Sequence, residues 1–135
     1  MSIRKLIAVM ATIAALAVLA PAASASSAKD FLLEKTCADI GCTVTYSSFK
    51  GIPEGTLITY AGSGPAALVA TIHAPHGTAT GNCNILSVFT TGADGRCVFG
   101  SGTGSLTQFR LDVAVNVDAD GLWTWDGTYW HGPGH

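Results

Sequence analysis

The sequence predicts an all-β domain, a small antiparallel β-barrel or β-sandwich of about seven to eight short strands stabilised by disulfides. Three observations lead to this class: an N-terminus typical of exported proteins, strict alternation of apolar and polar residues near the C-terminus, and four cysteines downstream of the leader. The 16 glycines all lie beyond residue 25 and are spread along the chain, as expected of turns and bulges between strands.

Residues 1–25 have the pattern of a secretory signal peptide. Arg4 and Lys5 precede an apolar run from Leu6 to Ala20, and Ala23-Ser24-Ala25 is a small-x-small cleavage site. The apolar run is shorter than the ~20 residues of a membrane-spanning helix, and no second run follows it. We therefore expect a secreted, extracellular protein with no membrane partner after cleavage.

The part after cleavage has the size of one domain. We expect an N-terminal segment over residues 26–42, carrying the first two cysteines, followed by an antiparallel β domain over 43–135. Removing two of the seven basic residues with the leader leaves five against nine acidic ones, a formal charge of −4. No cluster of like charge is present, so nucleic acid is not an expected partner.

Four cysteines in an exported chain favour two disulfides. They allow three connectivities, among which the sequence does not choose; we favour the two local pairs, Cys37 with Cys42 and Cys83 with Cys97. The cysteine spacings lack the closely spaced pairs of zinc ribbons, so we expect no bound metal. No cofactor-binding motif is present in the sequence, so we expect no cofactor.

After residue 42 the sequence pattern predicts a series of strands separated by Gly and Pro. Between the signal peptide and residue 42, Lys29 to Lys35 is the only stretch that could form a helical turn, with Asp30 as its cap. Runs rich in Val, Ile, Thr and aromatic residues then predict five strands: Thr43 to Phe49, Thr56 to Tyr60, Ala67 to His73, Cys83 to Phe89 and Arg96 to Gly100.

The last two strands have the clearest pattern. From Phe109 to Asp118 apolar and polar side chains alternate, which is typical of a strand with one wet face. A turn over 118–121 then returns the chain as a partner strand from Leu122 to Trp130.

One predicted hairpin conflicts with the favoured cysteine pairing. If Thr90 to Gly95 is the loop and Phe89 faces Arg96, Cys83 falls opposite Gly102 rather than Cys97. A disulfide needs a Cα separation below about 7 Å, so this pair requires a bulge, a longer irregular loop or a different strand pairing.

No catalytic residue is predicted. His73 and His76, and His131 and His135, stand beside Pro and Gly, which indicates exposed turns and a chain end rather than a metal site. No Gly-x-Ser-x-Gly elbow presents a serine nucleophile. Asp118 and Asp120 are interpreted as a hairpin turn, because the further ligands of a calcium loop are missing; Glu54 and Asp126 cannot be assigned as acid and base from sequence alone.

The aromatic residues of the last strand are the candidate ligand contacts. Trp123, Trp125 and Tyr129 share one face of this strand, and Trp130 lies on the other. The first face is either core, which we favour, or a stacking platform for a sugar or an apolar ligand. Trp130 is the better candidate for exposure. We therefore name Trp123, Trp125 and Trp130 as possible ligand-binding residues.

Three strings in this chain resemble a family of small exported actinobacterial proteins. They are Ser48-Phe49-Lys50-Gly51-Ile52-Pro53-Glu54-Gly55, Gly95-Arg96-Cys97-Val98-Phe99-Gly100-Ser101-Gly102-Thr103-Gly104 and Trp125-Asp126-Gly127-Thr128-Tyr129. The glycine string at 100–104, with Leu106 and Phe109 after it, is also similar to the glycine turn of the allene oxide cyclase and dirigent type of β-barrel. That similarity implies eight antiparallel strands around an apolar cavity, and it transfers no catalytic residue.

Three functional hypotheses follow. The first is a secreted non-enzymatic module that binds a small apolar molecule, a glycan or a protein. The second is a barrel enzyme, an isomerase or hydrolase, that uses His73 or a buried carboxylate inside the barrel. The third is a secreted inhibitor or interaction protein that acts through an exposed edge or loop. The absence of a catalytic motif and the Trp-rich last strand favour the first.

Overall fold

A computed structural model describes residues 27–132, which form a closed barrel of eight antiparallel strands in sequence order. The predicted signal peptide lies outside the described residues. The strands are β1 Lys29–Ala38, β2 Gly41–Ser47, β3 Leu57–Gly62, β4 Leu68–Ala74, β5 Gly77–Asn84, β6 Gly95–Gly102, β7 Phe109–Val117 and β8 Trp123–His131. A five-residue helix, α1 (Leu86–Thr90), joins β5 to β6, and a short 3-10 turn over Gly104–Leu106 joins β6 to β7. Residues 27–132 contain no helix with the length and apolarity needed to cross a bilayer.

The all-β prediction is confirmed, and the barrel rather than the sandwich is the observed form. Each strand pairs with the next, and β1 pairs with β8 from Lys29 opposite Tyr129 to Lys35 opposite Trp123. This last pairing closes the sheet and removes both of its free edges. A closed small barrel packs inward-facing side chains of every strand into one core.

The predicted helical turn at Lys29 to Lys35 is wrong, because this stretch belongs to β1. Phe31, Leu33 and Lys35 point inward and are all buried, with Leu32 on the outer face. The period is therefore two and not 3.6. A neighbouring strand on each side satisfies the backbone groups of β1, which outweighs the weak helical preference of a short charged segment.

The predicted strand from Cys83 to Phe89 is also corrected. β5 starts earlier, at Gly77, and ends at Asn84, and the apolar residues that follow form α1. The side chain of Asn84 accepts a hydrogen bond from the backbone N–H of Leu86 at 3.2 Å, which helps to turn the chain out of the strand. With the strand ending at Asn84, Cys83 lies directly opposite Cys97, and the register conflict disappears.

Both favoured disulfides are confirmed. Cys37–Cys42 links β1 to β2 and Cys83–Cys97 links β5 to β6, each between residues that face each other across a strand pair. Each bridge therefore locks the register of one hairpin, on opposite sides of the barrel wall.

Removing either disulfide is expected to destabilise the barrel, and the longer loop should matter more. By restricting the unfolded chain, the Cys83–Cys97 bridge, with a sequence separation of 14, adds about 3 kcal/mol to the free energy of unfolding. The Cys37–Cys42 bridge, with a separation of 5, adds about 2 kcal/mol. Urea unfolding of the two double alanine variants measures both losses. A larger loss for the Cys37/Cys42 variant would contradict this order.

The two ends of the barrel differ. At one end the loop between β2 and β3 and the 3-10 turn between β6 and β7 cover the core. Ile52 of the loop and Leu106 of the turn are fully buried, and the Phe49 ring stacks on Phe109 with centroids 5.3 Å apart. We call this the closed end. The opposite end, formed by the β1–β2, β3–β4 and β7–β8 turns and by α1, is not covered in this way and holds the cavity described next; we call it the open end.

Candidate functional site

A cavity of about 300 Å³ opens at the open end of the barrel. Asp39 and Ile40, in the β1–β2 turn, form part of its rim, and both are exposed. Deeper in, its wall is mostly apolar, with one lysine and one tyrosine: Lys35, Tyr60, Leu68, Ile85, Val115 and Trp123. We call this space the end cavity. Its volume is at the low end of the range for small-molecule sites.

Lys35 is a charged residue type at an inward position of a strand. It follows Phe31 and Leu33 on the same face of β1, and its side chain is only 1% exposed. The register between β1 and β2 shifts between Glu34 and Lys35, whereas Lys35 stays directly opposite Trp123 of β8. The strand pairing therefore directs this amine into the barrel, where it meets the end cavity.

Aromatic groups surround the Lys35 amine. Its Nζ hydrogen bonds with the hydroxyl of Tyr60 and lies 4.3 Å from the ring centroid of Trp125, 4.7 Å from that of Tyr60 and 6.0 Å from that of Trp123. Aromatic faces attract a cation. They stabilise an ammonium less than a carboxylate would, because a ring carries no net charge.

Burial alone shifts both members of this pair. Desolvation lowers the pKa of Lys35 from 10.5 to about 7, and it raises the pKa of Tyr60 above its ordinary value. Within residues 27–132, Lys35 is the only charged side chain in the buried interior, and its hydrogen bond goes to the Tyr60 hydroxyl rather than to a carboxylate. A substantial fraction of Lys35 is therefore a neutral amine near pH 7.

Trp125 lies beneath this pair and is fully buried. Its ring packs on Phe99 with centroids 5.3 Å apart, and its indole N–H finds no acceptor among the described residues. The preferred interpretation of this face as core is confirmed for Trp125. Trp123, one step nearer the open end, is only half-buried and lines the end cavity.

The other aromatic residues of β8 lie away from the cavity. Tyr129 is at the closed end, where its ring is 4.7 Å from that of Phe49. Trp130 is on the outer face of the barrel, with the Arg110 guanidinium 6.0 Å from its ring. Of the three tryptophans named from the sequence, the structure brings Trp123 and Trp125 together at Lys35 and leaves Trp130 outside.

Of the histidines and carboxylates singled out in the sequence, those within residues 27–132 do not enter the barrel. His73 is exposed on β4 and shares a hydrogen bond of 2.9 Å with Thr59, so it does not reach the interior as the enzyme hypothesis required. His131 hydrogen bonds with the Ser105 carbonyl, and His135 lies outside the described residues. Glu54 and Asp126 are exposed. Among residues 27–132, no group of three metal-binding side chains converges.

Asp118 has a structural role. Its carboxylate accepts hydrogen bonds of 2.9 Å from the backbone N–H groups of Asp120 and Leu122. These bonds close the turn between β7 and β8. The interpretation of this segment as a hairpin turn is confirmed.

Sequence reasoning missed the Lys35–Tyr60 pair. The signal was present in the alternation Phe31, Leu33, Lys35, which places a lysine on the apolar face once the segment is treated as a strand. A lysine at a core position is rare, and it needs an explanation.

The surroundings of Lys35 therefore offer a basic nitrogen, a hydroxyl and an apolar space above them, within reach of one small molecule. Comparison of the chain with known protein families, with curated proteins and with solved structures finds no match in any of the three.

Proposed function

We propose that this protein is secreted and acts as a non-enzymatic binding module, which takes up a small, mainly apolar carboxylic acid in the end cavity. The observation that carries the proposal is Lys35, a buried amine that lines a mostly apolar cavity and has no carboxylate partner among residues 27–132. A ligand carboxylate that reaches it supplies the missing counter-charge. The two disulfides suit an oxidising compartment, which supports the proposed export.

The cavity wall favours an apolar ligand over a glycan. Leu68, Ile85, Val115 and Trp123 offer packing surface, and the polar side chains that the described lining adds behind the rim are Lys35 and Tyr60. Sugars carry a hydroxyl on most carbons, and each buried hydroxyl without a partner costs about 1–3 kcal/mol. A single ring or short alkyl chain with one acidic group matches this distribution.

Lys35 and Tyr60 are suited to bind one carboxylate together. The protonated Lys35 donates a charge-assisted hydrogen bond, and the Tyr60 hydroxyl donates a second one. Both donors already lie within hydrogen-bond reach of each other, so the ligand needs no rearrangement of the strands to meet them. Because the surroundings exclude water, such a pair of bonds is stronger than on the surface.

The experiment is calorimetric titration of the oxidised protein with benzoate, with benzyl alcohol and glucose as comparisons. We expect benzoate to bind at least about tenfold more tightly than benzyl alcohol and glucose to show no binding, a tenfold change being 1.4 kcal/mol. Lys35→Met should reduce the affinity for benzoate by at least the same factor. Equal affinities for benzoate and benzyl alcohol would contradict the role of Lys35.

Two tryptophan substitutions on the same strand locate the site. Leu68 faces the end cavity, whereas Val69, the next residue of β4, is 41% exposed on the outer face. Leu68→Trp should therefore fill the cavity and abolish benzoate binding, and Val69→Trp should leave it unchanged. Loss of binding in both variants, or in neither, would place the ligand elsewhere.

The pH dependence of benzoate binding has a definite sign. Of the described groups that line the end cavity, Lys35, Tyr60 and the exposed rim residue Asp39 are titratable, and burial lowers the pKa of Lys35 to about 7. Above this pH the free protein must take up a proton to form the ammonium–carboxylate pair. The affinity should then fall by about tenfold per pH unit. An affinity that stays constant from pH 7 to about pH 9 would contradict this pairing.

The hypothesis of a secreted interaction protein included two kinds of contact, through a sheet edge or through a loop, and only the loop contact is compatible with the described barrel. The closed barrel has no free edge for strand addition, so an edge-mediated contact is not available to the described strands. Contacts through loops remain a second candidate, favoured by the exposed Ile40 and Phe89 side chains at the open end. A pull-down from culture supernatant, with an Ile40→Ser/Phe89→Ser variant as control, tests it.

A further inference from the structure

Lys35 combines two properties that simple charge pairing does not require. It is a primary amine in a dry, aromatic environment, and it is hydrogen bonded to the hydroxyl of Tyr60, a group that can give and take a proton. Charge pairing with a carboxylate requires a protonated ammonium and does not require a neighbouring hydroxyl. An amine that attacks carbon must instead be neutral and within reach of the cavity.

We propose that Lys35 captures small aldehydes covalently, by condensing with the carbonyl carbon of a molecule in the end cavity to form an imine. This inference rests on the proposed function, in that the same cavity must admit small apolar molecules. It extends that function from reversible binding of acids to covalent capture of carbonyl compounds.

The geometry provides the nucleophile and its path. Lys35, on β1, and Tyr60 both line the end cavity, and the centroid of the Trp125 ring lies 4.3 Å from Lys35 Nζ. In the described interior, no carboxylate is present to keep the nitrogen protonated. The lowered pKa of Lys35, about 7, agrees with a free lone pair near neutral pH.

The Tyr60 hydroxyl is positioned to move the protons of the condensation. The nitrogen lone pair attacks the carbonyl carbon, and the carbonyl oxygen takes a proton from Tyr60, which recovers one from the nitrogen. The resulting carbinolamine loses its hydroxyl as water, with a proton again supplied by Tyr60, as the nitrogen lone pair forms the C=N bond. The nitrogen then returns its last proton to Tyr60. The net change is amine plus aldehyde to imine plus water, and nothing is oxidised or reduced.

The apolar wall favours the imine once it has formed. Imines revert to amine and aldehyde by addition of water, and a cavity lined by Leu68, Ile85 and Val115 limits water at the reacting carbon. The Trp123 ring on the cavity wall offers a stacking surface for an aromatic aldehyde.

The experiment is reductive trapping. The oxidised protein is incubated near neutral pH with benzaldehyde and sodium cyanoborohydride, and the benzylated residue is identified by peptide mapping. Lys29 and Lys50 are exposed and lie outside the end cavity, so they act as controls within the same molecule. We expect Lys35 to be labelled at least tenfold faster than either of them. Because the site is read from the wild-type protein, the result does not depend on a variant that folds.

Variants separate cavity entry from proton transfer. Leu68→Trp should suppress labelling of Lys35 and leave Lys29 unchanged, and Val69→Trp should leave both rates unchanged. Tyr60→Phe keeps the ring but removes the hydroxyl, and it should slow labelling of Lys35 about tenfold. An unchanged rate in Tyr60→Phe would overturn the assigned proton transfer.

Two outcomes distinguish failure of this inference from failure of the proposed function. If benzoate binds but Lys35 is labelled no faster than Lys29 and Lys50, covalent capture is overturned and the binding role stands. If neither benzoate binding nor selective labelling is seen, both proposals are overturned.

Discussion

Replacing Lys35 with methionine is expected to stabilise the protein by about 3 kcal/mol near pH 7. Each pH unit between the pKa of a lysine in the unfolded chain and its pKa in the fold is worth about 1.4 kcal/mol. For Lys35 these values are 10.5 and about 7. Methionine has a similar length and no charge to desolvate, so the substitution removes most of the free-energy cost of burying Lys35. It also removes the cation–π contacts with Trp125 and Tyr60, which makes the net gain in stability smaller.

The same substitution should change how stability depends on pH. Between about pH 7 and pH 10 the unfolded chain holds a proton on Lys35 that the folded chain has lost, so stability rises with pH. The rise from pH 7 to about pH 9.5 is about 3 kcal/mol for this one group. Above that range the raised pKa of Tyr60 acts in the opposite direction, because the folded protein keeps a phenolic proton that the unfolded chain releases. Asp39 and Tyr60 are the other titratable groups at the cavity, and both are present in the variant.

Urea unfolding at several pH values measures both effects. The difference between wild-type and Lys35→Met curves isolates this residue, since all other titrating groups are common to the two proteins. Lys50→Met, at an exposed position, is the matched control and should change stability little at any pH. A Lys35→Met variant that is less stable than wild type at pH 7 would contradict the prediction, because it would show that the buried amine stabilises the fold.

Replacing Gly102 with alanine is expected to destabilise the barrel by about 3 kcal/mol, the upper part of the range for overpacking. A Cβ atom at Gly102 would lie 2.0 Å from the carbonyl oxygen of Leu106 and 3.1 Å from that of Thr78. Both are backbone atoms, so neither can rotate away. The 3-10 turn that ends at Leu106 would have to move, and with it a fully buried side chain of the closed end.

Gly100, two residues earlier on β6, is the matched control. Nothing lies within 4 Å of the position that its Cβ would occupy, and the residue is exposed. Gly100→Ala should therefore leave the fold intact and raise stability by up to ~1 kcal/mol, because alanine loses less backbone entropy in a strand. Thermal and urea unfolding of the two variants measure these changes in stability. Equal effects at both positions would mean that close backbone approach at Gly102 does not hold the closed end.

The strands that were predicted best are those whose inward positions carry large apolar side chains. In β7 the buried residues Phe109, Leu111, Val113 and Val115 alternate with polar ones, and the predicted and observed bounds differ by one residue. In β5 the buried positions are Ala79, Gly81 and Cys83, which are too small to produce a visible alternation. The apolar residues after Asn84 attracted the strand prediction instead, although α1 buries none of its residues.

The candidate site was predictable only in part. Trp123 and Trp125 were identified from their shared face on the last strand, and the structure places both rings at the Lys35 amine. Lys35 itself was hidden because Leu32 and Glu34 blur the alternation of β1. Tyr60 comes from β3, which is neither adjacent to β1 in the sheet nor close to it in sequence.

Local information in this chain is enough to establish the all-β class, the turn at Asp118 and the shared face of Trp123 and Trp125. These properties depend on side-chain period and on residues near each other in sequence, where short-range sterics and hydrogen bonding dominate. The identity of Lys35 as a buried amine depends on closure of the sheet, since β8 brings two tryptophans and β3 one tyrosine around it. Desolvation is a property of the whole enclosure, and no stretch of sequence read alone contains it.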